Sequence, residues 1–317
     1  MERVFTYQIT ESDADRTVHE FLRMHGYSLH ILQSMKPDRS AIRLNGEHVY
    51  MSHRMKTGDV LTTVIRDEDS SRNIVPAPVP FTIQYEDEDL MVISKPAGIS
   101  IHPAINHPAD TLANGIAWYF QQKGVEHVFR CINRLDRDTT GLLILGKNKL
   151  SASILETALR KKVIRRTYLA IAEGILPSEG VIDLPIGRKD GSLIERCIDK
   201  ENGDRAVTHF HRLRILQADQ RAHFCGKPDG SGLTETSAVP LSLAELHLET
   251  GRTHQIRVHL KAIGHPLLGD SLYNPEGIPG MPRQALHSRK LDFIHPITGV
   301  PMHFEAPVPD DMQTYLL

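Results

Sequence analysis

The chain has 317 residues, 40% of them hydrophobic, with a formal net charge of -2, which suits one large domain plus a small module and excludes a protein that coats nucleic acid over its whole surface. No apolar run approaches the roughly 20 residues of a membrane helix, and the start Met1-Glu2-Arg3-Val4-Phe5 lacks the basic-then-apolar layout of a secretion signal. Three widely spaced cysteines, Cys131, Cys197 and Cys225, offer neither a disulfide framework nor a zinc ribbon, so a soluble cytoplasmic protein with reduced thiols is expected.

Residues 1–66 read as a separate small module. Asp15 is placed to cap a helix whose Val18, Phe21, Leu22 and His25 follow helical spacing, and Gly26 to end it. Ser28 caps a second short helix with Leu29, Leu32 and Met35 on one stripe, and Pro37 forbids its continuation. A β section follows: Ile42-Arg43-Leu44, the turn Asn45-Gly46, His48-Val49-Tyr50, then Gly58-Asp59 leading into Val60 to Ile65. This order, with Ile42-x-Leu44-Asn45-Gly46-Glu47 and Lys56-x-Gly58-Asp59, resembles the S4 RNA-binding domain; a purely structural cap is the alternative. Residues 67–80 form a linker with acids at its start and prolines Pro76, Pro78 and Pro80 at its end. It is expected to be extended and semi-rigid, letting the two parts move relative to one another.

From 81 to 317 short apolar strands alternate with a few helices: Leu90 to Ile93, Leu142 to Leu145, Tyr168 to Ile171. In Ala244 to Thr250 one face takes Ala244, Leu246 and Leu248 and the other Glu245, His247 and Glu249, as in a half-buried strand. The expected fold is α/β in the α+β sense, a mixed, mostly antiparallel sheet with a catalytic cleft. Residues 218–240 read as an inserted surface loop. Between residues 130 and 166 ten basic residues face three acids, an electrostatic footprint for phosphates, although a solvated helix end would look the same.

Within that stripe, Asn133-Arg134-Leu135-Asp136-Arg137-Asp138-Thr139-Thr140-Gly141 sets a carboxylate between two guanidiniums in a loop that runs into an apolar strand. A loop fixed to a rigid strand is where catalytic groups tend to sit. The segment resembles the R-L-D signature, H-R-L-D-x-x-T-S-G, of the RluA-type pseudouridine synthases, with Asn133 in place of His and Thr140 in place of Ser. Thr250-Gly251-Arg252-Thr253-His254-Gln255-Ile256-Arg257-Val258-His259 resembles the family's T-G-R-x-H-Q-I/L-R-V-H motif, on a helix that Thr253 is placed to cap and Gly264 to close. The resemblance implies Asp136 as the catalytic carboxylate, Arg257 as its partner, Tyr168 as the tyrosine that stacks on the target base, and Arg134 as the group that fills the space a flipped uridine leaves. Pairing of Arg134 with Asp138 is an equal alternative from the residues alone. Arg137, Arg165, Arg166 and Arg252 are the further candidates for holding RNA.

The implied reaction isomerises uridine to pseudouridine in ribosomal or transfer RNA. It needs no redox cofactor, because the bond from ribose to N1 is broken and remade at C5. Eighteen histidines invite a metal, but His254 and His259, five apart, diverge on a helix, so neither metal nor cofactor is expected. A monomer is expected. Rival readings are a non-catalytic RNA-binding protein on the same scaffold, and a glycosidase acting on nucleic acid through Asp136 and Asp138.

Overall fold

A computed structural model describes residues 2–67, 73–104, 107–216, 240–278 and 280–316. The amino-terminal part begins with a strand that the sequence pattern did not reveal, β1 (Glu2–Gln8). It pairs antiparallel along its whole length with β4 (Val60–Arg66), which pairs in turn with β2 (Ile42–Leu44), and β2 with β3 (Glu47–His48). Helices α1 (Val18–Met24) and α2 (Leu29–Met35) close the module, and Ser28 caps α2 as expected, accepting from Ile31 N at 3.2 Å. Asp15 does not cap α1. Thr17 does: its hydroxyl accepts from Glu20 N while the Glu20 carboxylate takes the Thr17 N–H at 2.8 Å, a reciprocal pair that satisfies two orphan donors where an aspartate would satisfy one.

The module is docked on the rest of the chain. Leu150 of α4 (Lys149–Arg160) belongs to the module's core with Phe21, Leu22, Tyr27 and Leu61. Arg3 donates through Nε and Nη2 to both oxygens of the buried Asp89, at 3.0 Å each. Gly26, with φ +87°, is needed here twice over, since a Cβ on it would lie 2.4 Å from Ile154. The expected freedom of movement thus meets an interface that includes apolar cover and a buried ion pair.

The larger part is built on a nine-stranded sheet. Its strands are β5 (Thr82–Glu86), β6 (Leu90–Lys95), β7 (Thr140–Gly146), β8 (Arg165–Glu173), β9 (Glu179–Asp183), β12 (Val207–Leu216), β13 (Leu241–Leu248), β14 (Leu286–Ile294) and β15 (Pro301–Glu305). The order is β5-β6-β7-β14-β8-β13-β12-β9, with β15 on β14, and every pairing is antiparallel except β7 with β14. A small hairpin, β10 (Ile186–Arg188) with β11 (Arg196–Ile198), stands apart. All seven residues of β7 are buried, as a continuous apolar run in a sheet covered on both faces requires. In β13 the alternation expected from Ala244 onward is present and does not extend back to the start of the strand. Glu245 and His247 emerge beside buried Leu246, but residues 241–244 are buried on both faces because the last helix, α6 (Asp310–Gln313), covers Leu241 and Leu243. Helix α3 (Leu112–Gln122) packs its Leu112, Ile116 and Phe120 under the other face. The expected insertion at 218–240 lies, but for Pro240, outside the described residues. No helix among them is long and apolar enough to cross a membrane.

Candidate active site

The loop 133–139 is held at almost every residue. Asn133, buried, spans its base: Oδ1 accepts from Ile144 N at 2.9 Å and Nδ2 donates to Leu142 O at 3.3 Å. This amide therefore ties the loop to β7. Leu135 inserts into the main core. Thr139 N closes a turn on Asp136 O at 3.1 Å. Lys95, at the end of β6 and 1% exposed, donates from Nζ to three carbonyls, those of Pro96, Ile99 and, at 2.7 Å, Arg137. Burial pulls its ammonium down to about 7, against the opposing pull of the Asp138 and Asp136 carboxylates. From the far side Arg283 donates to Asp138 O at 3.1 Å and is itself clamped by both oxygens of Asp311. Beyond the loop Gly141 has φ +110°, and a Cβ there would lie 2.2 Å from Ser288 O, so only glycine lets β14 approach β7.

That loop brings Asp136 to a cleft of about 400 Å³. Tyr168, Arg257, Arg134, Arg166 and Arg252 line the same cleft, together with Arg160, His254 and Glu249. Arg137 and Arg165 do not. Arg137 turns to Gly98 O at 3.1 Å and lies 4.0 Å from the Asp138 carboxylate, while Arg165 is exposed at the start of β8. Period-two geometry explains the second: Arg165 and Arg166 occupy opposite faces of one strand, and only one face borders the cleft. Arg134 is exposed at the cleft's edge and makes no protein hydrogen bond among the described residues, so the pairing with Asp138 is not formed. Tyr168 is 3% exposed and packs in the main core, its ring against the cleft.

Arg257 lies on helix α5 (Gln255–Ala262), buried rather than beside the buried face. Its Nη1 reaches Asp136 Oδ2 at 3.3 Å, but its shorter bonds go to Asp270. Asp270, fully buried, accepts from Arg257 Nε and Nη2 at 2.7 Å each, and from Leu272 N and Tyr273 N at 3.1 Å. The Tyr273 ring lies under the guanidinium, 4.8 Å from its centroid to Cζ. Paired carboxylates hold the Arg257 pKa up against the pull of burial, so it stays a cation. A carboxylate closing the apolar run Leu267-Leu268 was the signal available for Asp270. For Lys95 it was a cation ending the apolar run before Pro96.

Helix α5 begins one residue later than expected. Its N-cap is His254, in a left-handed conformation with φ +59°, instead of Thr253. Gln255 explains the sharp entry: Oε1 accepts from Thr250 Oγ1 and Arg252 N, and Nε2 donates to Val207 O and Thr208 Oγ1 at 2.9 and 3.0 Å. His259 is buried and bonded to Thr208 and Leu184 O, on a different side from His254. Among the described residues one group has metal-ligand spacing, Asp87, Asp89 and His295, none of which lines the cleft. Its atoms are engaged with one another, with Arg3 and with Asn148.

The chain is similar to known proteins over most of its length. The family model described as RNA pseudouridylate synthase matches residues 89–262, which leaves the amino-terminal module outside the match. The uncharacterised RNA pseudouridine synthase YjbO of Bacillus subtilis is 39% identical over 297 residues, covering 93% of this chain and 96% of that one. The ribosomal large subunit pseudouridine synthase D of Neisseria meningitidis (strain Z2491) is 33% identical over 304 residues, covering 89% and 75%. Among solved structures, human RNA pseudouridylate synthase domain containing 1 aligns with a TM-score of 0.54 at 26% identity, covering 73% of this chain and 84% of that one.

Proposed function

This chain belongs to the RluA family of RNA pseudouridine synthases, isomerases that act on RNA, and from that premise we propose that it converts specific uridines of large-subunit ribosomal RNA to pseudouridine, with Asp136 as the catalytic carboxylate. The observation that carries the reading is the Asp136 carboxylate held 3.3 Å from the buried Arg257 guanidinium, inside a cleft that Arg134, Arg160, Arg166 and Arg252 line with positive charge. Phosphates are held by such cations, and the guanidinium aims the carboxylate. The ribosomal substrate is supported by similarity to the Neisseria meningitidis enzyme, whose name states it.

A uridine in folded RNA has to leave its stack to meet a carboxylate inside a cleft, at a cost of a few kcal/mol unless the vacancy is filled. Arg134, exposed at the rim and without a protein partner among the described residues, is free to fill it. Tyr168 supplies the apolar wall on which the uracil stacks. The amino-terminal module, by the helix, helix, sheet order that follows β1, serves as an S4-like RNA-binding domain that adds affinity for large RNA. The glycosidase alternative rests on Asp138 as the second carboxylate, and Asp138 is not among the lining residues; the other acid that is, Glu249, is engaged by Lys162 at 2.7 Å and His209 at 2.8 Å.

A large-subunit ribosomal RNA transcript carrying tritium at uridine C5 tests the reading, because C5 loses its hydrogen when it bonds the ribose. Wild-type enzyme should release tritium, and Asp136→Asn should release none while binding the transcript with nearly unchanged affinity. Turnover by the Asp136→Asn enzyme would remove that residue from the chemistry. Mapping pseudouridine in cells with and without the gene then gives the position.

A further inference from the structure

His254 is a half-buried residue in the cleft lining, held in a backbone conformation that costs a side chain energy and that glycine adopts freely. Its ring is tethered by a hydrogen bond whose direction can be assigned. Tyr273 Oη lies 2.8 Å from His254 Nδ1 and also 2.8 Å from Arg196 N, and the backbone N–H can only donate. Burial pushes the Tyr273 phenol up to about 12, so it keeps its proton. That proton has one acceptor among the described residues, His254 Nδ1. The imidazole is therefore the tautomer with its hydrogen on Nε2, the edge turned away from Tyr273, and that nitrogen has no protein partner among the described residues. Burial first, helped by the Arg257 and Arg196 cations and opposed by the Asp136 and Asp270 carboxylates, holds the imidazolium form down, so the ring is a neutral donor.

On the isomerase reading above, we propose that His254 is a further catalytic residue whose Nε2–H donates a hydrogen bond to a carbonyl oxygen of the target uracil while the bond between N1 and C1′ breaks. The electron pair of that bond passes to the uracil ring, where the carbonyl oxygens carry the charge. It is used again when C5 bonds C1′; the C5 proton then leaves to solvent and N1 takes one up. A fixed donor aimed at an oxygen that gains charge acts on the transition state more than on the bound substrate. Tyr273, which sets the tautomer, is a positioning residue in this scheme.

The test is steady-state tritium release from the same transcript by His254→Gly, His254→Gln and Tyr273→Phe enzymes. Glycine removes the donor and also relieves the left-handed backbone, so His254→Gly should melt no lower than wild type while its kcat drops about 100-fold. KM should stay within about threefold, the mark of an interaction made in the transition state. His254→Gln restores an N–H near the same place and should recover part of the loss; Tyr273→Phe, which frees the tautomer, should lower kcat several-fold. A glycine enzyme with wild-type kcat, a defect confined to KM, or a glutamine enzyme no better than glycine would each overturn the assignment. A wild-type enzyme that releases no tritium would instead overturn the substrate reading on which it rests.

Discussion

Replacing Asp270 by asparagine separates charge from shape at the point where the site is most buried. Asparagine is nearly isosteric and keeps one oxygen for Arg257 Nη2, Leu272 N and Tyr273 N, all of which Asp270 Oδ1 now accepts. Its amide nitrogen would face Arg257 Nε, now 2.7 Å from Oδ2, so a charge-assisted bond becomes an opposition of two donors. The Asp270 side chain is 0% exposed and that of Arg257 8%, so water cannot repair the loss. Breaking one partner out of a buried ion pair costs about 3–5 kcal/mol, which for a chain of this size lowers the melting temperature by roughly 5–8 °C. Arg257 would then keep one neutral bond to residue 270 and the 3.3 Å contact to Asp136, and the geometry of the reacting carboxylate would loosen. Turnover measured well below the melting transition should fall at least about 100-fold. Thermal unfolding and tritium release should be run on the single variants and on Asp270→Asn/Arg257→Met together, where the two stability losses should not add because the second removes the charge that the first strands. A variant that melts within about a degree of wild type, or two losses that sum, would refute the claim that Asp270 anchors Arg257.

Lys95→Met should strand the carbonyls of Pro96, Ile99 and Arg137, costing about 3–5 kcal/mol in urea unfolding and lowering kcat through the released loop. Full activity would show that the loop is held without it. His127 stacks on Phe120 with both ring nitrogens buried and unpartnered among the described residues, and burial pushes it down to about 3. The unfolded chain takes up its proton below about pH 6.5 while the folded chain does not, so this residue's contribution is intact above that pH and is lost as pH falls, by about 3 kcal/mol at pH 4.5. His127→Phe should flatten that acid slope in pH-dependent unfolding; an unchanged slope would place the proton uptake elsewhere. Arg3→Ala leaves Asp89 with Asn148 as its remaining side-chain partner and should cost about 1–3 kcal/mol, with hydrogen exchange rising in β1 before it rises in β7.

The Asp136 loop was legible as charge at fixed spacing against an apolar run and the Arg257 helix by its periodicity, but the pairing of the two residues came only from the family resemblance. What the sequence could not show is how donors are shared. Arg257 has two carboxylate partners, and the nearer one, Asp270, is reached through a turn whose geometry depends on Tyr273 packing. Lys95 was hidden for a related reason: its partners are carbonyls, which every residue has. β1 escaped notice because its burial alternates too weakly, with Phe5 alone fully covered. Arg137 and Arg165 show the limit of reading charge along a chain, since neighbours in sequence point to different sides of a loop or strand.

The position of β14 in the sheet sets when the enzyme can first exist. Strand β7, which carries the Asp136 loop, and strand β8, which carries Tyr168, follow each other in the chain, yet they do not touch as neighbours; residues 286–294 lie between them. A nascent chain that has made both strands still lacks the one that joins them, and at about 5–20 residues per second the missing strand arrives roughly 8–30 s after β7. Until then the two halves of the cleft have no common wall. A ribosome that stalls between residues 273 and 286 therefore yields a protein with every residue of the reaction and no place to perform it.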